Sequence, residues 1–221
     1  MTSTGGILVS DFDGTMTRHD FYDLVRKQWP PRQGDDPWEQ YVAGRVTHFQ
    51  ALAEIFARIR TDEATLGGLV ERMELDPALP GVIAQLRDKG WTVEVASAGC
   101  EWYLLRLLRA AGLALPVHAN PGAFAPATGL AMSLPAPSPF FSPSTGIDKS
   151  GVVRDALRRN ANVAFAGDGR PDLEPSLLVP PGRRFARGWL AGELRRLRER
   201  FIPFTNWTEI AHHLLHPPPP C

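Results

Sequence analysis

The chain has 221 residues, enough for one full α/β core with a modest insertion and too few for two large domains. Its 24 lysines and arginines balance 24 aspartates and glutamates, which removes the bulk field of a nucleic-acid or membrane-surface binder and leaves a small molecule as the expected partner. Cys100 and Cys221 are the only cysteines, too few for a disulfide framework and suited to a reducing compartment, so a cytoplasmic location is expected.

The first apolar run, Ile7-Leu8-Val9-Ser10, lacks a basic lead and is far too short to span a bilayer. It breaks at Asp11-Phe12-Asp13-Gly14-Thr15 and reads as a buried parallel strand with acids at its carboxyl end. That end is where open α/β sheets bind ligands. Strand alternation is expected to send Asp11 and Asp13 the same way and Phe12 the other. Two carboxylates crowded on one edge repel each other unless a proton or a cation lies between them. The plainer reading is that they cap a helix or solvate a turn, as aspartate often does.

Residues 20–29 are expected to form a short helix with Phe21, Leu24 and Val25 inward, ended by Pro30-Pro31 and a loop over 33–37. Thr47-His48-Phe49-Gln50 has the spacing of a capping box, and Phe49, Leu52, Ala53, Phe56 and Ile59 follow at helical period. Thr61 is expected to cap the next helix, with Leu66, Leu69, Val70 and Met73 on one face. Residues 18–79 thus read as a helical cap inserted after the first strand, over the acidic edge. Residues 1–17 and 80–221 then make the core. Val82, Ile83 and Leu86 lie on a helix closed by Lys89-Gly90, and Thr92 to Ala96 form a second strand ending in Ser97-Ala98-Gly99. A Leu-rich helix over 101–111 follows. The proline-rich stretch 116–144 is expected to be a small flap or hairpin. Lys149 opens a helix, and Val163 to Ala166 form a third strand running into Gly167-Asp168-Gly169-Arg170-Pro171-Asp172. Residues 177–179 and 185–186 are expected as short edge strands. Closing helices carry Trp189, Leu190 and Leu194, then Trp207, Ile210 and Leu214, and the tail from His216 through Pro220 is expected to fray.

Each strand delivers polar residues at its carboxyl end: Asp11 and Asp13, then Ser97, then Asp168 and Asp172, with Lys149 at a helix start. Carboxylates from two strands form a hard oxygen site suited to Mg²⁺, which keeps waters and takes a phosphate oxygen. Ser97 and the N–H groups around Ala98 and Gly99 can hold phosphoryl oxygens. A nucleophilic aspartate can form an aspartyl phosphate while metal and lysine neutralise charge, and Asp13 is placed to protonate the leaving alcohol and then to activate water.

These four segments, in order over residues 7 to 172, resemble the motifs of the haloacid dehalogenase superfamily of phosphatases. The resemblance implies a Rossmann-like three-layer core with a parallel sheet, an Asp11 nucleophile and an Asp13 acid/base. It also implies Mg²⁺ held by Asp11, the Asp13 carbonyl and Asp168, with Asp172 behind them or positioning Lys149. The helical insertion is similar to that of the phosphoserine phosphatase branch. Asp11 to Asp20 and His118-Ala119-Asn120-Pro121 resemble the group around 2-hydroxy-3-keto-5-methylthiopentenyl-1-phosphate phosphatase of methionine salvage. Phe140 to Thr145 stand where that group often carries cysteines, and Gly169 where it more often has serine.

A phosphoserine phosphatase, another small-metabolite phosphatase, or a phospho-acceptor or ligand-binding module without turnover would use the same segments. Asp20 is a substrate contact or a helix cap. Arg58 and Arg60 suit a helix end, and His19, His48 and His118 have no metal-site spacing and read as solvated or core residues. Cys100 reads as a packed small residue, and Arg183 to Arg200 as a solvated helix face. Arg170 is a gate or a turn residue. Oligomeric state has no signature in the sequence.

Overall fold

The computed structural model describes residues 5–32 and 34–216. The first apolar run forms β1 (Ile7–Ser10), buried throughout. Five helices separate it from the next strand: α1 (Phe21–Gln28), α2 (Pro37–Val42), α3 (His48–Ala57), α4 (Glu63–Glu71) and α5 (Leu79–Asp88). Then come β2 (Thr92–Cys100), α6 (Glu101–Ala110) and β3 (Val117–Asn120). Two small antiparallel hairpins follow, β4 (Gly122–Ala125) with β5 (Gly129–Met132) and β6 (Phe141–Ser142) with β7 (Gly146–Ile147). The chain continues through α7 (Lys149–Arg159), β8 (Val163–Gly167), a 3₁₀ turn (Arg170–Asp172), α8 (Leu173–Leu177), β9 (Arg184–Ala186), α9 (Gly188–Arg196), β10 (Ile202–Pro203) and α10 (Trp207–Leu215).

Six strands form one parallel sheet in the order β10-β9-β8-β1-β2-β3. The chain builds outward from β1 to β3, then returns to the other side of β1 with β8 and builds outward again. The topological switch point therefore falls between β1 and β8, and the crevice at their carboxyl ends is the place where such a sheet receives a ligand. Side-chain alternation divides the interior. Leu8, Ala164 and Ala166 enter a large apolar cluster with residues of α1, α3 to α6 and α10, whereas Ile7, Val9, Val163 and Phe165 pack on Val152, Val153 and Ala156 of α7. Helices on both faces of a parallel sheet make this a Rossmann-like three-layer α/β fold. Among the described residues no helix is long and apolar enough to cross a membrane.

Local chemistry explains most boundaries. Thr47 and Gln50 exchange the two hydrogen bonds of a capping box, at 3.1 and 2.8 Å. Asp62, not Thr61, caps α4, since its carboxylate accepts both the backbone N–H and the hydroxyl of Thr65 at 2.8 and 3.0 Å. Part of the expected loop over 33–37 opens a helix instead: Asp36 accepts the Trp38 N–H at 2.9 Å and Pro37 occupies the first helical position, where its missing donor costs nothing. β2 runs on to Cys100, so Ser97-Ala98-Gly99 lies within the strand rather than beyond it. Residues 177–179 are the end of α8 and a loop, not an edge strand, a confusion to which short apolar runs are prone. Residues 185–186 do form an edge strand, as part of β9, and β10 lies outside it. Of the expected frayed tail, residues 217–221 lie outside the described residues.

Candidate active site

Asp11 follows β1, Asp168 follows β8, and the two strands pair in register with Ser10 beside Ala166. The Asp11 N–H donates to the Ala166 carbonyl at 2.8 Å, so both strands deliver their acids at one level. All nine residues singled out from the sequence meet there. Asp11, Asp13, Asp20, Ser97, Ala98, Gly99, Lys149, Asp168 and Asp172 line a single cavity of about 340 Å³.

Lys149, at the first position of α7 and 4% exposed, donates to Asp11 Oδ1 at 2.7 Å and to Asp172 Oδ1 at 2.6 Å. The other oxygen of Asp172 accepts the N–H groups of Asp168 and Gly169 at 3.1 and 2.8 Å. Both its oxygens are thus engaged in shaping the loop after β8. Thr15 Oγ1 donates to Asp168 Oδ1 at 2.9 Å, tying that loop to the turn after β1. Behind the site, the Trp207 indole donates to Ser10 Oγ at 2.9 Å, and Ser10 Oγ donates to the Asp11 carbonyl at 2.7 Å.

Asp13 has different partners. Because β1 ends at Ser10, strand alternation does not reach it; the turn does, with the Phe12 carbonyl accepting from the N–H groups of Thr15, Met16 and Thr17 at 3.2, 2.9 and 3.2 Å. Gly14, at φ +65°, makes this turn where a Cβ would lie 2.5 Å from an Asp168 oxygen. Asp13 then accepts from Tyr103 Oη at 2.9 Å, Ser97 Oγ at 3.3 Å and the Phe21 N–H at 3.3 Å. The Gly99 N–H donates to Ser97 Oγ at 2.9 Å, and a Cβ at Gly99 would sit 2.0 Å from the Tyr103 hydroxyl.

Crowding sets the electrostatics. Burial, then the neighbouring Asp172 charge, raise the Asp11 pKa well above the carboxylate range, against the pull of Lys149. Burial also raises Asp13, opposed by the Tyr103 and Phe21 hydrogen bonds. Asp20 is raised by burial and by Asp168, and Asp168 itself is pushed up to about 7 by burial and Asp172. For Lys149, burial lowers the pKa, but attraction to Asp11 and Asp172 outweighs it and the net shift is upward. A single ammonium faces five carboxylates, so the cavity holds more acid than it can keep ionised unaided. Carboxylate oxygens of Asp11, Asp168 and Asp172 come within 4.8 Å of one another, a hard-oxygen set. With Asp172 committed at both oxygens, Asp11 and Asp168 are the pair left to ligate a cation.

The opposite wall is aromatic and apolar, built from Tyr22, Trp38, Leu52 and Phe56 together with His48. Sequence reasoning missed this wall and Tyr103: Leu52, Phe56 and Tyr103 lie at helical spacing and read as core, where they do pack, and Tyr22, Trp38 and His48 come from three different helices. His48 is buried as a core histidine would be, yet it also lines the cavity. Asp20 stands at the N-cap of α1 without a side-chain capping bond and faces the cavity. Arg58 pairs with Glu54 at 2.7 Å, Arg60 donates to the Ala57 and Ile59 carbonyls, and neither lines the cavity. His19 lies 3.7 Å from Glu74, and His118 3.9 Å from Glu94. Cys100 is buried, its thiol pushed up to about 12 by burial. Arg170 stacks on Trp189, its guanidinium 4.7 Å from the ring, at the cavity mouth. The expected solvated arginine face is interrupted at three residues, the first being Arg183, which donates to Asn162 Oδ1 at 3.0 Å and lies over the Trp91 ring. Arg184 is buried against the Ser176 carbonyl and Glu199, and Arg187 donates to the carbonyls of Gly14, Thr17 and Thr205.

No family model matches the chain. A 2-hydroxy-3-keto-5-methylthiopentenyl-1-phosphate phosphatase of Exiguobacterium sibiricum is 19% identical over 210 residues, covering 94% of this chain and 95% of that protein. A haloacid dehalogenase-family hydrolase of Salmonella enterica serovar Typhi superposes with a TM-score of 0.69 at 17% identity, over 96% of this chain and 71% of that one. A phosphoserine phosphatase in a phospho-aspartyl intermediate analogue state superposes with a TM-score of 0.64 at 15% identity, over 95% of this chain and 98% of that one. The fold is that of the haloacid dehalogenase-type hydrolases, and the chain resembles the phosphatases among them in sequence as well as in architecture.

Proposed function

We propose that the protein is a phosphomonoesterase that hydrolyses a small phosphorylated metabolite through an aspartyl phosphate on Asp11. The supporting observation is that two carboxylates of one cavity have different partners: Asp11 is held by an ammonium, Asp13 by a phenol, a serine hydroxyl and a backbone N–H. Catalysis of this kind needs two carboxyl groups in opposite states. Asp11, whose carboxylate form is favoured by the Lys149 ammonium and would be favoured further by a bound cation, attacks phosphorus, and the ester P–O bond breaks. Asp13, its carboxyl raised by burial and held by Tyr103 and Ser97, passes its proton to the departing alkoxide. Asp13 then takes a proton from water, the resulting hydroxide attacks phosphorus, and Asp11 leaves as the carboxylate with release of inorganic phosphate.

Asp11 and Asp168 would hold Mg²⁺ together with the Asp13 carbonyl, and Asp172 would brace Lys149 and the loop after β8. When bound, the ion supplies charge neutralisation between the nucleophile and the phosphoryl dianion. Ser97 and the amides of Ala98 and Gly99 line the phosphoryl end of the cavity. The helices over residues 18–79 act as a cap that admits the ester and then excludes water. The ester named for the curated relative supports that compound as the first candidate substrate, which would put the activity in methionine salvage. Phosphoserine, named for the structural neighbour, is the second candidate.

The test uses p-nitrophenyl phosphate with Mg²⁺. Asp11→Asn is expected to lower turnover by about 10³-fold or more, the scale of a lost nucleophile. Asp13→Asn is expected to accumulate a phosphorylated protein, read as one added phosphoryl group by intact mass. Retained turnover in Asp11→Asn would overturn the reading.

A further inference from the structure

Among the described residues, two cationic side chains line the cavity, Lys149 and Arg170, and they differ in what neutralises them. Burial keeps His48 uncharged at neutral pH by lowering its pKa to about 3. Lys149 is buried and spends its ammonium on Asp11 and Asp172, at 2.7 and 2.6 Å. Arg170 is exposed at the mouth, and among the described residues its guanidinium pairs with no carboxylate and donates no hydrogen bond. Glu193, one turn along α9 from Trp189, gives both its oxygens to Arg196, at 2.8 and 2.6 Å. A phosphate dianion approaching the cavity therefore meets one uncancelled positive charge of the chain, and it stands at the entrance.

That charge survives because the side chain is restrained. A guanidinium on a free tether beside five aspartates would fold inward and be cancelled there. Arg170 opens the 3₁₀ turn Arg170–Asp172, which the Asp172 carboxylate ties down by accepting the Asp168 and Gly169 N–H groups, and Pro171 narrows its backbone freedom further. Its guanidinium rests on the Trp189 ring, 4.7 Å from the centroid, and Trp189 is itself 36% exposed. The indole thus holds the cation by its face and leaves its N–H groups unspent.

We propose that Arg170, held outward by Trp189, is the capture residue of the cavity: it draws the phosphoryl dianion to the mouth of an otherwise acidic site. A charge focused at the entrance of a cleft acts on the rate of association, and its effect fades as salt screens it. The role does not depend on the carbon chain of the ester. It deepens the phosphatase reading and rests on it.

Stopped-flow fluorescence with inorganic phosphate and Mg²⁺ measures association without requiring turnover, since Trp38 and Trp189 both line the cavity. At an ionic strength of about 10 mM, Arg170→Gln is expected to slow association about fivefold, and at about 300 mM the two proteins are expected to converge. Arg170→Lys is expected to recover most of the rate. Val42 is 52% exposed on the cap side of the same mouth, so Val42→Arg in the Arg170→Gln background is expected to restore the rate by returning a cation to the entrance. A side chain needed only for folding would not be replaced from another helix. With p-nitrophenyl phosphate, Arg170→Gln is expected to lower kcat/KM several-fold and kcat by less. Equal association rates at low salt, a deficit that persists undiminished at high salt, or failure of both replacement cations to recover the rate overturns the proposal. If the salt-sensitive deficit holds while p-nitrophenyl phosphate is not hydrolysed, the hydrolase reading falls and the Arg170 assignment stands.

Discussion

Lys149 is the residue on which the acidic cluster balances. Its two bonds, at 2.7 and 2.6 Å, hold Asp11 and Asp172 where both are buried. Removing one partner of a buried ion pair costs about 3–5 kcal/mol, because the abandoned charges remain buried. Lys149→Met should lose stability on that scale in urea denaturation at pH 8, and less near pH 5, where the abandoned Asp11 carboxylate takes up a proton instead. The aspartates impose a pH dependence on the intact protein as well. Asp168 keeps its proton to about pH 7 when folded, whereas an unfolded aspartate releases it near ~4. Between those values the native chain binds more protons than the unfolded one, so stability of the metal-free protein falls as pH rises through that window. Thermal melting in EDTA should therefore drop from pH 5 to pH 8. Mg²⁺ should raise the melting temperature, and most at the higher pH, where its ligands are free of protons.

At the scale of elements, α3 carries both Phe56 and His48 to the cavity, and its start depends on Thr47. Thr47→Ala removes half of a capping box and is expected to cost about 1 kcal/mol in denaturant titration. The same element shows what a sequence reveals. The Thr47–Gln50 spacing and the 3.6-residue period announced the helix, because both are local signals. The acids after β1 and β8 were equally legible, since strand ends and their turn residues lie within a few positions of each other. The wall was not, because Tyr22, Trp38 and His48 share no period and meet only after α1, α2 and α3 have packed. Tyr103 was hidden differently: it belongs to the apolar face of α6, and only its hydroxyl, reaching Asp13, leaves the core. Asp36-Pro37 was ambiguous in principle, because the same dipeptide opens a turn or a helix.

At the scale of the molecule, the sheet order explains why the acids converge. β1 lies between strands made much later and somewhat later, β8 and β2, so the switch point gathers residues from positions 11, 97 and 168 at one edge. Arg187 reinforces that edge from the far end of the chain by holding the carbonyls of Gly14, Thr17 and Thr205. α10 does so from behind, through Trp207 and Ser10, and it packs against α5. A chain ending at Thr205 would expose Ser10 and the apolar faces of Ile210 and Leu214's partners, and is expected to lack turnover of p-nitrophenyl phosphate even where circular dichroism shows retained helix.

The indole–hydroxyl–carbonyl relay from Trp207 to Asp11 also has a consequence in time. Asp11 is synthesised well before Trp207, the group that seats it. A nascent chain therefore presents the acidic segment before it can brace it, and the segment gains its backing only once α10 docks.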